Sequence, residues 1–211
     1  MRWTFDAKVA AEFDSIAQKQ IPNYDIVIGR CVELARIEFK DDSNVKIVDV
    51  GSAKGRTLTR LYEAGFSNIY GVESSEHMIA ASAFPERIIH SACFPLEQAP
   101  FDMVLANWTL HFIPTREDYI RDIFKGLTSN GLFIFSDRML GSITSYQRYL
   151  DFKRSCGVSD EDIKAKEAAL QGVLEPRPLT WYQTVLQQTG FKDIEIIDAA
   201  WCFNTVMCRK P

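Results

Sequence analysis

Three features are scarce in this chain: paired cysteines, an excess of basic residues and long hydrophobic runs. The cysteines are odd in number and never spaced Cys-x-x-Cys, which is typical of reduced thiols rather than of disulfides or a metal site. They are Cys31, Cys93, Cys156, Cys202 and Cys208. The formal net charge of −4 gives no general attraction to nucleic acid, so direct nucleic-acid binding is not expected.

No apolar run approaches the length that crosses a membrane, and residues 1–14 lack the apolar core of a signal peptide. Internal repeats and low-complexity tracts are also absent from the sequence. With 46% hydrophobic residues and no break in composition, the 211 residues predict a single domain, 1–211, with one core. We therefore expect a cytoplasmic protein that acts on a small molecule.

Two common phosphate-binding patterns are missing as well. Residues 45–55, VKIVDVGSAKG, predict a buried strand followed by a turn and a helix. The places that hold glycines in a dinucleotide-binding turn carry Gly51, Ala53 and Arg56, and Arg56 would prevent the close packing that the third glycine permits. A phosphate loop is excluded because Lys54 precedes Gly55 instead of following it. The turn therefore indicates a ligand without a tightly held phosphate.

Glu73 indicates what that ligand is. It ends the second apolar run, residues 69–73, which is expected to lie beside the first strand. A carboxylate at that strand end is placed to accept hydrogen bonds from both hydroxyls of a ribose. The glycines alone would also fit a tight turn with no ligand, but together with Glu73 they predict an adenosine site.

Strands and helices alternate along most of the chain, which predicts a parallel sheet covered on both faces. The predicted strands are 46–50, 69–73, 88–93, 101–107, 132–137, 191–200 and 200–210. The predicted helices are 23–39, 55–64, 76–82, 116–127 and 181–190. Residues 1–44 are expected to form a helical N-terminal segment that caps the site, and residues 141–172 a helical insertion after the fifth strand.

The motif Asp49-x-Gly51-x-x-x-Gly55 resembles the first motif of class I S-adenosylmethionine (SAM)-dependent methyltransferases. The resemblance implies a Rossmann-like α/β fold, with a doubly wound, mostly parallel seven-stranded sheet whose last strand is antiparallel. It implies SAM as the cofactor, with the backbone of residues 51–55 facing the methionine moiety and Glu73 holding the ribose. Asp49 is expected to orient the turn.

Four segments are similar to the carboxy-S-adenosylmethionine synthase family. They are WTFDAKVAAEF (3–13), IPNY (21–24), NWTLHFI (107–113) and DFKRSCGVSDEDI (151–163), and the likeness covers almost the whole chain. Members of that family carboxylate the methyl group of SAM with prephenate as the donor, and the product serves tRNA wobble-uridine modification. The resemblance implies a SAM-using transferase with prephenate as its small-molecule substrate, assembled as a homodimer.

The same resemblance assigns candidate site residues. Arg154 matches the arginine that pairs with the added carboxylate, with reach across the dimer interface, and Arg154 and Tyr24 are the catalytic candidates. Such a pairing is needed because an unpaired carboxylate in a partly desolvated pocket is costly. The candidate cofactor contacts are Tyr24, Gly51, Ser52, Ala53, Gly55, Glu73, Ser74, Ala92, Cys93, Asn107 and Arg154.

Two departures from the family keep other functions open. Ala92 stands where the family carries an acidic residue near the adenine, a loss worth about 1–3 kcal/mol if that contact is buried, and Val158 replaces an aromatic residue. Without the resemblance, Arg154 would be interpreted as a solvated helix residue. The alternatives are an ordinary SAM-dependent methyltransferase acting on a small molecule or RNA, and a non-catalytic SAM-binding protein.

The histidines do not enter this interpretation. His77, His90 and His111 show no spacing typical of a metal site, and each is expected to be a satisfied, partly buried side chain. None of the three is assigned to catalysis, and no metal is expected.

Overall fold

The computed structural model of the chain describes residues 3–40, 42 and 44–211. Seven strands form one sheet: β1 (Ile47–Val50), β2 (Ile69–Glu73), β3 (Ile88–His90), β4 (Phe101–Asn107), β5 (Leu127–Arg138), β6 (Lys192–Ala200) and β7 (Phe203–Arg209). The α-helices are α1 (Ala7–Gln20), α2 (Tyr24–Phe39), α3 (Arg56–Glu63), α4 (Glu76–Ala80), α5 (Arg116–Gly126), α6 (Ile143–Ser155), α7 (Asp160–Leu170) and α8 (Leu179–Thr189). Short 3-10 turns occur at Pro85–Arg87, Leu96–Gln98 and Leu110–Phe112.

The strand order in the sheet is β3-β2-β1-β4-β5-β7-β6. Strands β1 to β5 pair in parallel, and β7 runs antiparallel to both of its neighbours, β5 and β6. The predicted α/β fold with a seven-stranded, mostly parallel sheet and an antiparallel last strand is confirmed.

The two faces of the sheet are covered by different helices. Along β5, Phe133 and Phe135 pack in a cluster with residues of α5 and α8, while Leu132 and Ile134 pack with residues of α2 and α3. Alternate residues of a strand point to opposite faces, so one apolar run can serve both clusters at once. All four side chains are buried. A strand that is buried on both faces has apolar residues at consecutive positions, which is the pattern seen in this part of the sequence.

Strand order reverses between β1 and β4, because the chain builds outward through β2 and β3 on one side and through β5 on the other. In open α/β sheets, ligands bind in the crevice at the carboxyl ends of the strands where this reversal occurs. The residues that end or directly follow β1, β2 and β4 are Gly51, Glu73 and Asn107. The topology therefore brings three predicted site residues to one edge of the sheet.

Some boundaries differ from the predicted ones. Strand β3 ends at His90 rather than at 93, because Ser91 starts a turn in which its hydroxyl accepts a hydrogen bond from the amide of Cys93 at 3.0 Å. Strand β5 begins at Leu127, where it pairs with Phe101 ahead of the Asn130-Gly131 turn. The segment 141–172 contains two helices, α6 and α7, whose N-termini are capped by the side chains of Ser142 and Ser159.

The N-terminal segment crosses the carboxyl edge of the sheet. The amide of Trp3 donates to the carbonyl of Ala169 in α7 at 3.0 Å, and the hydroxyl of Ser75 donates to the carbonyl of Phe5 at 2.6 Å. The Phe5 ring meets Phe112 edge-on, with 5.5 Å between centroids. These contacts join the end of β2, the turn after β4 and α7 above the same crevice. Among the described residues, no helix is long and apolar enough to cross a membrane.

Candidate active site

The turn after β1 contains three residues with positive φ angles. Gly51, Ala53 and Gly55 have φ of +68°, +46° and +77°, in the left-handed region that favours glycine. The amides of Gly51 and Ser52 both donate to the carbonyl of Val72, at 2.8 and 3.1 Å. The turn is therefore tied to the end of β2 before α3 begins.

Glu73 completes this connection through its side chain. Its Oε2 accepts from the amide of Ala53 at 2.9 Å, and its Oε1 accepts from the amides of Ser74 and Ser75, each at 2.8 Å. A carboxylate has about four acceptor positions, so one position on Oε2 is left for a ligand. The sequence suggested that both ribose hydroxyls would bind Glu73; this geometry leaves room for one without displacing an amide.

Asp49 lies beneath the same turn on the cavity wall. Burial raises the pKa of its carboxyl to about 7, the charge of Glu73 adds to this effect, and a hydrogen bond from Thr57 opposes it. The carboxyl therefore changes charge near neutral pH, and a cation bound beside it would favour the ionised form.

A cavity of about 620 Å³ opens at this edge of the sheet. Ligand pockets typically enclose about 300–1,000 Å³, so the space suits a ligand of nucleoside size together with a small partner. The predicted site residues on its wall are Tyr24, Gly51, Ser52, Ala53, Glu73, Ser74, Ala92, Cys93 and Asn107. Tyr24 is buried against Trp108, with 4.7 Å between ring centroids, and burial raises the pKa of its hydroxyl.

Several buried polar atoms on this wall lack a partner among the described residues. They are Ser52 Oγ, Asn107 Oδ1 and Asp14 Oδ1. Buried polar atoms are costly when they form no hydrogen bond, so these three atoms indicate that a polar ligand completes the site.

Two predicted contacts are absent from the cavity wall. Gly55 caps the start of α3 instead of lining the cavity. Arg154 lies on the outer side of α6 with 43% of its side chain exposed, and pairs with Asp160 at 2.8 Å and Asp151 at 3.0 Å. The expectation that Arg154 contacts the cofactor is therefore not met within one chain, because Tyr149 and Lys153 are the buried residues of α6. Its reach across a dimer interface stays a prediction.

A cluster of charged residues from β5, α6 and α7 meets the other end of the cavity. Arg138 donates to both carboxylate oxygens of Glu167, at 3.1 and 2.8 Å, and Lys153 donates to Glu167 at 3.1 Å. Arg138 and Lys166 line the cavity wall. Burial would raise the pKa of Glu167, but the hydrogen bonds and charges of Arg138 and Lys153 outweigh it and lower that pKa.

Lys166 has no carboxylate of its own among the described residues. Burial lowers its pKa to about 7, the charge of Lys153 lowers it further, and Glu167 partly opposes both. Its ammonium lies over the indole ring of Trp3. The sequence did not predict this basic cluster, Arg138, Lys153, Lys166 and Glu167, because its residues come from β5, α6 and α7 and only the fold brings them together.

His111 was missed for a different reason. It lies in the 3-10 turn after β4, is buried, and lines the cavity. Its Nδ1 is 2.8 Å from Oδ1 of Asp137, which is also buried. No sequence spacing signals a pair that is formed between the turn after β4 and the neighbouring strand β5. Among the described residues, no group of three or more histidine, cysteine or carboxylate side chains could hold a metal ion.

Comparisons with known proteins identify the family. The model of a methyltransferase domain matches residues 48–135. A carboxy-S-adenosyl-L-methionine synthase from Campylobacter concisus is 32% identical over 92% of this chain and 88% of its own length. A second, from Helicobacter hepaticus, is 29% identical over 99% of this chain and 95% of its own. The chain belongs to the carboxy-S-adenosyl-L-methionine synthase family.

Solved structures support the fold of this family member. A SAM-dependent methyltransferase from Archaeoglobus fulgidus matches 94% of the chain with a TM-score of 0.65 and 14% identity. A magnesium protoporphyrin IX methyltransferase from Synechocystis, solved with bound S-adenosylhomocysteine, matches 93% with a TM-score of 0.64 and 12% identity. At these identities the likeness concerns the fold alone.

This synthase-family chain is a SAM-dependent, methyltransferase-like enzyme, and SAM is its cofactor. The residues present fit that group. The unpartnered Ser52 Oγ and Asn107 Oδ1 are available to polar atoms of the cofactor, and the free position on Glu73 Oε2 suits a sugar hydroxyl. The acidic side chains Asp49 and Asp14 on the wall suit its positive charge.

Replacing Gly51 by alanine should damage the site. The added Cβ would lie 2.1 Å from Thr109 Oγ1 at a φ of +68°, so Thr109 must give up its hydrogen bonds to Val50 and Asn107. We expect a loss of about 2–4 kcal/mol, from the left-handed backbone and overpacking together, measured by thermal unfolding. Gly157→Ala is the control, because φ is +80° there and no described heavy atom lies within 4 Å of the added Cβ. Equal losses in both variants would contradict the account.

The affinity for SAM should depend on the charge of Asp49. Its pKa of about 7 means that the carboxyl is protonated below that pH, so a proton must leave before it can attract the cationic ligand. We expect affinity to rise between about pH 5 and about pH 7, by at most about tenfold per pH unit, in titration calorimetry. Asp49→Asn should flatten this dependence while the ligand's own titration is unchanged. A flat profile in the unsubstituted protein would show that Asp49 does not face the cation.

Proposed function

We propose that this protein is a carboxy-SAM synthase, which carboxylates the methyl group of SAM with prephenate as the donor for tRNA wobble-uridine modification. Its relatives at 28–32% identity over most of the chain carry that name. The observation that carries the proposal here is that the cavity wall offers the carboxylates of Glu73 and Asp49 to a cation and Arg138 and Lys166 to an anionic donor, while its other cations, Lys54 and Arg56, are paired with Asp14 and Asp25.

The acidic end suits the cofactor. In this proposal the ribose binds Glu73, the methionine moiety lies along residues 51–53, and Asn107 and Ser52 supply the remaining hydrogen bonds. Tyr24 closes the cavity beside Trp108. Bound there, SAM supplies a sulfonium methyl group whose hydrogens are acidified by the neighbouring positive charge.

The basic end suits an anionic donor. The basic cluster contains three cations and one carboxylate, and Lys153 has only 1% of its side chain exposed. Because buried charge is costly when it lacks a counter-charge, this end stabilises a ligand carboxylate. Arg138 presents a guanidinium that is already held in place by Glu167, so little side-chain freedom is lost on binding.

Methyl transfer to a small molecule is the second candidate function. It is favoured by the position of Arg154, which pairs with Asp151 and Asp160 outside the cavity, and by Ala92 on the cavity wall. In a homodimer, which we propose on resemblance alone, Arg154 would have to leave both carboxylates before it could enter the partner's cavity.

The proposal predicts that SAM and prephenate together yield carboxylated SAM, detected by mass spectrometry. Lys166→Gln and Arg138→Gln should each raise the KM for prephenate at least about tenfold, since a charged hydrogen bond is worth about 1.5–3 kcal/mol. Lys164→Gln, on the exposed side of the same helix, is the matched control.

The KM for prephenate should also rise above about pH 7, because Lys166 loses its charge there.

Failure to form carboxylated SAM from purified protein, SAM and prephenate would contradict the proposal. Methylated acceptor formed without prephenate would then select the second candidate. Cofactor binding without turnover of either kind would indicate a binding protein that has lost the chemistry.

A further inference from the structure

We propose that Asp14 and Lys54 bind the two charged groups of the cofactor's amino-acid tail, Asp14 the ammonium and Lys54 the carboxylate. Neither side chain is among the candidate cofactor contacts predicted from the sequence. The inference rests on SAM as the cofactor and not on the fate of its methyl group, so it is tested separately from the proposed function.

One side of helix α1 forms part of the cavity wall. The residues of α1 that line the cavity are Phe13, Asp14, Ile16, Ala17 and Gln20. They recur at spacings of three and four residues, which puts them on one face of the helix. Asp14 is the one charged residue among them. Helix α1 therefore presents a single carboxylate to the cavity.

The two oxygens of this carboxylate have different surroundings. Oδ2 of Asp14 lies 3.3 Å from Nζ of Lys54, whose side chain is 22% exposed. Oδ1 is buried and has no hydrogen-bond partner among the described residues. Burial and then the charge of Asp14 raise the pKa of the Tyr24 hydroxyl, which places the carboxylate close to another residue of the wall. Since a buried acceptor is costly when it stays unpaired, Oδ1 indicates a ligand that donates a hydrogen bond.

The chemistry of SAM decides which of its groups is that donor. The ribose hydroxyl is expected at Glu73, and the adenine is expected near Ala92. The sulfonium carries no N–H or O–H group, so it cannot donate a hydrogen bond to Oδ1. The ammonium of the amino-acid tail carries three N–H donors, and the tail is expected along residues 51–53. The ammonium is therefore the donor that fits Asp14.

Lys54 supplies the opposite charge. It directly follows the residues that the tail is expected to contact, and it lines the cavity. Its ammonium has three donors and pairs with Asp14, so donors remain for the carboxylate of the tail. An ion pair has no net charge to attract a simple cation or anion, but a zwitterion meets complementary charge at both of its groups. The amino-acid tail of SAM is such a zwitterion.

This pair gives the site a means of selection. Glu73 and the turn after β1 contact parts of the ligand that any adenosine thioether shares in our account of the site. Asp14 and Lys54 respond only to the charged groups of the tail. They therefore favour the cofactor over nucleosides that contain the same adenosine but lack the tail.

The test compares four thioethers that share adenosine and differ in the tail, with affinities measured by titration calorimetry. S-adenosylhomocysteine carries both charged groups. Its aminopropyl analogue lacks the carboxylate, its carboxypropyl analogue lacks the ammonium, and methylthioadenosine lacks both. None of the four carries a sulfonium, so differences in affinity report on the tail alone.

Each variant should affect only the ligands that carry its partner group. Asp14→Asn should weaken S-adenosylhomocysteine and the aminopropyl analogue at least about tenfold, because a charged hydrogen bond is lost. It should not weaken the other two ligands. Lys54→Gln should weaken S-adenosylhomocysteine and the carboxypropyl analogue about three- to tenfold, because this side chain is partly exposed. It should not weaken the aminopropyl analogue or methylthioadenosine.

Glu12→Gln is the matched control, because Glu12 is an exposed residue of the same helix outside the cavity wall; all four affinities should stay unchanged. Equal losses for all four ligands in Asp14→Asn would indicate a structural role and overturn the proposal, as would an unchanged affinity for S-adenosylhomocysteine. If Asp14→Asn does not fold, Lys54→Gln decides with the same ligands. Equal affinities of the unsubstituted protein for S-adenosylhomocysteine and methylthioadenosine would also overturn the proposal.

Formation of carboxylated SAM is measured in the same preparations. If the variants discriminate among the ligands as expected and no carboxylated SAM forms, the proposed synthase function fails and recognition of the tail stands. If carboxylated SAM forms and Asp14→Asn affects all four ligands alike, only recognition of the tail by this pair fails.

Discussion

The site depends on the hydrogen bonds that Glu73 makes with the backbone. One carboxylate binds the amide of Ala53 in the turn after β1 and the amides of Ser74 and Ser75 after β2. Charge-assisted hydrogen bonds of this kind are roughly twice as strong as neutral ones. They fix the separation of two strand ends and of the left-handed turn between β1 and α3, and the cavity at the carboxyl edge of the sheet follows from that separation.

The cavity wall carries charge of both signs. It holds the carboxylates of Glu73 and Asp49 and the cations Arg138 and Lys166, together with Lys54 and Arg56, which are paired with Asp14 and Asp25. A cationic sulfonium and an anionic partner would each meet complementary charge, and in a partly desolvated space that arrangement orients both ligands before any reaction. The pKa values of Asp49 and Lys166 both shift to about 7, chiefly because each side chain is buried, and the like charges of Glu73 and Lys153 add to the respective shifts. A ligand of opposite charge would therefore favour the charged form of each group.

The sequence predicted the sheet, most of the helices and the cofactor end of the site, because local patterns encode them. The apolar run at β1, the Gly51 turn and the acid at Glu73 are separated by one strand–helix unit, so their meeting follows from parallel pairing alone. The other end could not be predicted in this way. Arg138 and Glu167 come from β5 and α7, and only the folding of residues 141–172 over the sheet brings them together.

Arg154 and His111 show what a sequence pattern does not determine about a site, namely which way a side chain faces and which residue of another element lies beside it. A matching segment predicts Arg154 as a site residue that reaches across a dimer interface. Within one chain Arg154 turns toward Asp151 and Asp160, because a helix presents consecutive residues on different faces, and its contact with a partner's cavity stays a prediction. His111 was set aside because single histidines have no informative spacing. Its neighbour Asp137 lies on the adjacent strand, where Asn107 pairs with Ser136, so a pairing register was needed to find it.

A crystal structure with bound S-adenosylhomocysteine would show whether Glu73 holds the cofactor. We predict a ribose hydroxyl within hydrogen-bonding distance, about 2.5–3.0 Å, of Glu73 Oε2, with the amino-acid tail along residues 51–53 and Asn107 contacting the ligand. A nucleoside bound away from Glu73, or a ribose that faces solvent while Ser52 Oγ and Asn107 Oδ1 stay unpaired, would contradict it.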